Sequence, residues 1–292
     1  MSTPLLAPSF LRKLERLALA SRRAFAGQMK GENRAPRRGA SVEFADYREY
    51  QPGDDLRYVD WNTAARLDRL FVKLFVEEED VLLALLLDTS ASMGFGEPAK
   101  LEVAIRVAAA LGYVGLIQHD RVRVAAFPGA PGTAPAPRRG RAAVPPFFAH
   151  LAALRAEGGA PLGPALRDWA AASRGRGIAV VISDFMDTSW REGVGALVAR
   201  DFQATLLHLL SPEELVPTVR GDVALIDSET RATLPLSVGP ALLARYQAAL
   251  AAHCDGIRAF ARARGAGYLR VSTGATLEDI VLKQLRRAGV AV

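Results

Sequence analysis

Seven consecutive apolar residues, Val81 to Leu87, run without interruption into Asp88. A stretch with no polar face is what a parallel strand needs when helices cover both of its sides. Residues 98–118 (PAKLEVAIRVAAALGYVGLIQ) are rich in Ala and Leu and predict a helix of about five turns, with Pro98 in its first turn. RVRVAAF (121–127) alternates apolar and polar positions, which predicts a strand nearer a sheet edge. The alternation continues with helices near 146–155 and 161–173 and strands GIAVVISDF (177–185) and QATLLHLL (203–210). A hairpin, DVALIDSETRATLPL (222–236), turns at DSET. A helix over 241–264, a strand GYLRVST (267–273) and a closing helix TLEDIVLKQLRRAG (276–289), capped by Thr276 and stopped at Gly289, end the pattern. Repeated strand–helix units of this length predict an α/β fold with a doubly wound, mainly parallel sheet, over residues 81–292.

The pattern ahead of Val81 differs. Phe10, Leu14, Leu17, Ala18 and Phe25 recur near helical spacing among arginines, so residues 9–29 predict an amphipathic leader helix. It lies on the body of the protein in the simpler reading and offers a partner or peripheral membrane contact in the sharper one. GENRAPRRGA then reads as linker, closing a leader segment over 1–40. Residues 41–80 predict a small β module from SVEFADY, RYVDW and LFVKLFV around the turn QPGDD. PGAPGTAPAPRRGRAAVPP, following the 121–127 strand, predicts a loop or an extended hairpin.

Charge changes this picture little. Residues 1–40 hold nine Lys and Arg against two Glu, a net +7, so the other 252 residues carry −1 of the total +6. A basic leader on a neutral body, with no zinc-finger or RNA-recognition pattern, argues against nucleic acid as the partner. No apolar run approaches the roughly 20 residues that cross a bilayer, and the N-terminus lacks the order of a signal peptide. Cys254 is the sole cysteine, which rules out an internal disulfide and a cysteine-built metal site. A cytoplasmic location is the expectation.

Candidate chemistry gathers where hydrocarbon ends. Ligands of doubly wound sheets bind beyond the carboxyl ends of strands. Asp88 stands at one such end and Asp184, in VVISDF, at another. Two unpaired carboxylates in one crevice raise each other's pKa or admit a cation. Ser90 and Ser92 add neutral hydroxyl oxygens that suit Mg²⁺ or Mn²⁺, with water completing the shell. Taken alone, DTSAS reads first as a turn and helix-cap sequence, and it is the pairing with ISDF in an α/β alternation that favours a site. Nothing in the chain makes a serine-hydrolase elbow or a Walker phosphate loop, and His119, His150, His208 and His253 have no carboxylate close in sequence, so enzymatic activity is not expected.

At Asp88, Ser90, Ser92 and Asp184 the chain resembles a von Willebrand factor A-type domain with its metal-ion-dependent adhesion site. The longer run from VEFADYREYQPGDDLRYVDWNTAAR through FVKLFVEEED to LLLDTSASMGFG resembles the bacterial family called domain of unknown function 58, as do HDRVRVAAF, ISDF and LIDSET. The likeness covers about residues 39–289. It implies a von Willebrand factor A-like sheet, a non-enzymatic adaptor role, and a MoxR-type AAA+ ATPase as partner in remodelling or maturing a client protein. It departs from the family at Ala160, which stands in EGGAPLGPAL where a threonine oxygen is usual and removes one ligand from the implied Mg²⁺ site. A metal-free scaffold of the same fold is the alternative; a hydrolase or a nucleic-acid binder ranks below both. The family series Arg48, Asp54, Asp55, Arg57, Asp60, Trp61 and Arg66 is expected to form a structural polar network or a docking face.

Overall fold

The computed structural model describes residues 5–15, 42–67, 69–77, 82–127, 135–159, 161–173 and 176–286. These fall into two units, one of residues 42–77 and a larger one of the remainder. The chain opens, within the larger unit, on a short helix α1 (Pro8–Leu14) whose Phe10 and Leu14 are buried in the main core. The amphipathic leader therefore packs inward over this stretch, and Lys13 pairs with Glu278 at 2.7 Å. Leu17, Ala18 and Phe25 lie outside the described residues.

In the smaller unit β1 (Val42–Glu49) pairs antiparallel with β2 (Phe71–Glu77), with a bulge between Phe44 and Asp46. RYVDW, expected as a strand, is instead a 3₁₀ turn, Leu56–Tyr58, followed by helix α2 (Trp61–Leu67). The reason is Asp60: its Oδ1 accepts the amides of Asn62 at 3.0 Å and Thr63 at 3.2 Å, which starts a helix where β-branched composition alone suggested extension.

The larger unit alternates as the periodicity predicts. Its elements are β3 (Leu82–Asp88), α3 (Lys100–Ile117), β4 (Arg121–Phe127), α4 (Val144–Ala152), α5 (Leu162–Ala172) and β5 (Gly177–Ser183). Then come α6 (Trp190–Ala199), β6 (Phe202–Leu210), α7 (Pro212–Leu215), the hairpin β7 (Gly221–Ile226) and β8 (Thr233–Val238), α8 (Pro240–Ala263), β9 (Gly267–Ser272) and a π-helical turn Asp279–Leu285. Five strands form an all-parallel sheet in the order β4-β3-β5-β6-β9, with β4 at an edge as its alternating pattern predicts. Pro98 precedes α3 instead of entering its first turn.

Both faces of the sheet are covered. Leu83, Leu85 and Leu87 of β3 join the core built with α1, α3 and α4, while Leu82, Ala84 and Leu86 join the one built with α5, α6 and the C-terminal part of α8. Burying each leucine is worth about 2 kcal/mol, so β3 is anchored on two sides and the position of Asp88 at its end follows. Helix α6 was not evident from sequence. Gly193 and Gly195 weaken its signal, and close packing explains its place: a Cβ on Gly193 would lie 2.5 Å from Leu166 Cβ, and one on Gly163 of α5 would lie 2.1 Å from the Ser189 carbonyl oxygen. Among the described residues no helix is long and apolar enough to cross a membrane.

Candidate functional site

From β3 the chain passes to β4 on one side and then crosses to β5 on the other, so strand order reverses at the β3/β5 pair. The crevice expected at such a reversal lies beyond Asp88, the last residue of β3, and Asp184, the residue after β5. Both are buried.

The loop after β3 is held by backbone. Thr89 N–H and its hydroxyl donate to the Phe127 carbonyl, at 2.5 and 3.0 Å, fixing the loop to the end of β4. Glu157 N–H donates to the Thr89 carbonyl at 2.8 Å, and Ala91 N–H to the Gly158 carbonyl at 2.9 Å. Within this frame Asp88 Oδ1 accepts the Ser90 amide at 2.9 Å and Oδ2 accepts the Ser183 hydroxyl at 2.5 Å. The hydroxyls of Ser90 and Ser92 lie 3.1 Å apart. Burial pushes the Asp88 carboxyl above the ordinary carboxylate range; the hydrogen bonds from Ser183 and Ser90 oppose this, and the Asp184 charge adds to the rise.

Asp184 is engaged differently. Its Oδ1 accepts the Met186 amide at 3.2 Å, and its Oδ2 accepts Lys100 Nζ at 2.7 Å. Lys100, the first residue of α3, is 1% exposed, and its ammonium also donates to Glu214 Oε1 at 2.6 Å. Burial alone would lower the lysine pKa, but the Asp184 charge and the hydrogen bonds to Asp184 and Glu214 prevail and hold it above its ordinary value. Glu214 is itself fixed by a capping box: Ser211 N–H donates to its Oε2 at 2.7 Å, and its own amide donates to the Ser211 hydroxyl at 3.2 Å.

A fourth carboxylate approaches from the DSET turn. A Cβ on Gly159 would lie 3.4 Å from Glu229 Oε2. Burial, followed by the charges of Asp184, Asp227, Asp88 and Asp187, holds the Glu229 carboxyl above the ordinary range. Ala160 is outside the described residues.

The donor set of Asp88, Ser90 and Ser92 suits a hard divalent cation that keeps several waters. Asp184 suits it less, because one of its oxygens already holds an ammonium. Among the described residues no group of three or more His, Cys, Asp or Glu is arranged to hold a metal ion, so hydroxyl and water oxygens would have to make up the shell.

Five of the seven residues expected as a polar network or docking face carry local contacts in the smaller unit. Arg48 pairs with Asp54 at 2.8 Å and Arg57 with Asp55 at 2.5 Å. Asp60 Oδ2 accepts the Tyr47 hydroxyl at 2.8 Å besides capping α2. Trp61 and Arg66 are exposed.

Residues 46–255 match the family described as "Protein of unknown function DUF58". An uncharacterized protein of Mycobacterium tuberculosis (strain ATCC 25618 / H37Rv), Rv1480, is 30% identical over 281 residues, which are 94% of this chain and 88% of that protein. The chain belongs to the DUF58 family. A second relative, the uncharacterized protein MAV169 of Mycobacterium avium, is 34% identical over 122 residues, 40% of this chain and 72% of that protein. Among solved structures, the conserved hypothetical protein BatB from Bacteroides thetaiotaomicron is similar to this DUF58 chain with a TM-score of 0.43 and 16% identity, covering 71% of this chain and 98% of that one.

Four residues of this DUF58 site escaped the sequence reading: Lys100, Ser183, Glu214 and Glu229. Glu214 carried a readable signal, since Ser211 and Glu214 stand at capping-box spacing. Lys100 carried none, because a lysine opening a helix ordinarily projects into water.

Proposed function

We propose that this DUF58 chain is a protein-binding module without enzymatic activity, built on a von Willebrand factor A-like sheet, whose strand-end crevice is a metal-ion-dependent adhesion-type site. The observation that supports it most is the convergence beside buried Asp88 of two serine hydroxyls 3.1 Å apart, at the point where strand order reverses. Asp88, Ser90 and Ser92 would hold Mg²⁺ or Mn²⁺, with Asp184 as a further ligand once its carboxylate is released from Lys100. A cation bound there supplies an open coordination position to a partner carboxylate, so recognition needs no bond to break. The likeness of DTSAS and of the Arg48–Arg66 series to the family pattern extends the reading to a MoxR-type AAA+ ATPase as partner, with a client protein whose acidic residue the site would take.

A ligand that binds the native state raises apparent stability. Thermal melts of the wild type and of Asp88→Asn in EDTA and in millimolar Mg²⁺ or Mn²⁺ test the site: only the wild type gains several degrees. No gain in either protein favours the second reading, a metal-free scaffold. That reading has its own observation in Lys100, which already compensates Asp184 without any divalent ion. Retention of a MoxR-type ATPase by the immobilised chain, with and without EDTA, tests the partner.

A further inference from the structure

Asp184 faces two cationic claims. One is the divalent cation of the reading above, on which this inference rests; the other is the ammonium of Lys100, already seated on its Oδ2 at 2.7 Å with side-chain exposures of 1% and 2%. A buried charge on Lys100 is tolerable only while paired. Here the pairing is double, because Glu214 Oε1 lies 2.6 Å from the same nitrogen. The two carboxylates are unlike in placement. Asp184 follows β5 at the switch point, beside Asp88, whereas Glu214 is locked by its capping box to Ser211, and the Glu214 carbonyl also receives the Tyr246 hydroxyl at 2.9 Å. A lysine ammonium is a point charge with three rotatable donors on a flexible stem. It can leave one carboxylate and keep the other.

We propose that Lys100 is an internal competitor for the strand-end cation site: its ammonium neutralises Asp184 when no divalent ion is bound, and ion binding requires Asp184 to exchange Lys100 for the ion while Lys100 stays on Glu214. Two cations sharing one carboxylate repel strongly in a crevice of low effective dielectric. Lys100 therefore weakens the site and sets the ion concentration at which it fills. The charges that face this exchange are Asp88, Asp184, Glu214 and, from the hairpin turn, Glu229. Replacing Lys100 by a neutral residue leaves Asp184 wholly available.

The test is Mn²⁺ binding by calorimetry to the full chain as wild type, Lys100→Met and Lys100→Gln, each with and without Asp88→Asn. Both neutral variants bind Mn²⁺ at least tenfold tighter than wild type, and Asp88→Asn abolishes the gain. Should either variant be unfolded in EDTA, Mn²⁺-induced refolding followed by circular dichroism reads the same gain, and its absence counts against the idea. Wild-type binding with equal or weaker binding in both variants overturns the competition and leaves the cation site standing. Binding only in the variants supports the competition and hands the native protein to the metal-free reading. Binding in none of the proteins sinks both.

Discussion

Arg57 with Asp55 and Lys100 with Asp184 are both close ion pairs, at 2.5 and 2.7 Å, yet they stand at opposite extremes of solvation. In the smaller unit the side chains of Arg57 and Asp55 are 82% and 41% exposed, and their partners are two residues apart in sequence. In the larger unit the partners are 84 residues apart, and each is almost wholly withdrawn from water. Removing one partner of the exposed pair returns the other to water. Removing one partner of the buried pair strands a charge where water cannot reach it. The same chemistry is thus incidental in one place and a commitment in the other.

The sharpest way to break the comparison is Lys100→Met in EDTA. Breaking a buried pair from one side costs about 3–5 kcal/mol, read as a lower urea midpoint; a loss no greater than that of a surface variant would remove the distinction. His208 sharpens it from another direction, being a buried titratable group with no ion pair among the described residues. It is fully buried, its Nδ1 lies 3.0 Å from the Tyr268 hydroxyl, and burial, reinforced by the His253 charge, drives its pKa down to about 3. The native imidazole is therefore neutral, while the unfolded chain takes up a proton near pH 6.5. Its contribution is full above that pH and declines toward pH 3, by about 1.4 kcal/mol for each pH unit. Urea titrations from pH 7 to 4 show a steeper loss for wild type than for His208→Gln; parallel curves would mean that His208 titrates normally. The smallest effect belongs to Arg57→Ala, whose urea midpoint at neutral pH coincides with that of wild type, and a clear shift would show that the exposed pair holds more than its own turn.

How much of this was legible beforehand depends on distance along the chain. Leu82–Leu87 reads as a doubly covered strand because a parallel strand under helices leaves no polar face, and Asp88, Ser90, Ser92 and Asp184 follow from where such strands stop. Helix α6 did not read, since Gly193 and Gly195 dilute its pattern, and only packing on α5 shows why Gly193 is there. RYVDW misread because the capping carboxylate of Asp60 outweighs the strand preference of its neighbours. Lys100 is the deepest omission. Its carboxylate partners, Asp184 and Glu214, arrive far later in the chain, and nothing within a few residues of it announces either.

That separation also has a consequence for the order in which the protein is made. Glu214 is 114 residues beyond Lys100. At about 5–20 residues per second, roughly 6 to 23 s of synthesis pass between the two. Until Asp184 is made, 84 residues on, α3 can form and gather its apolar face, but its opening lysine has neither acceptor and must stay in water; the second acceptor, Glu214, follows later still. Docking of that end of the helix onto the sheet is therefore deferred until the second half of the chain is available. The switch point assembles late, by necessity of connectivity, however early its strand is translated.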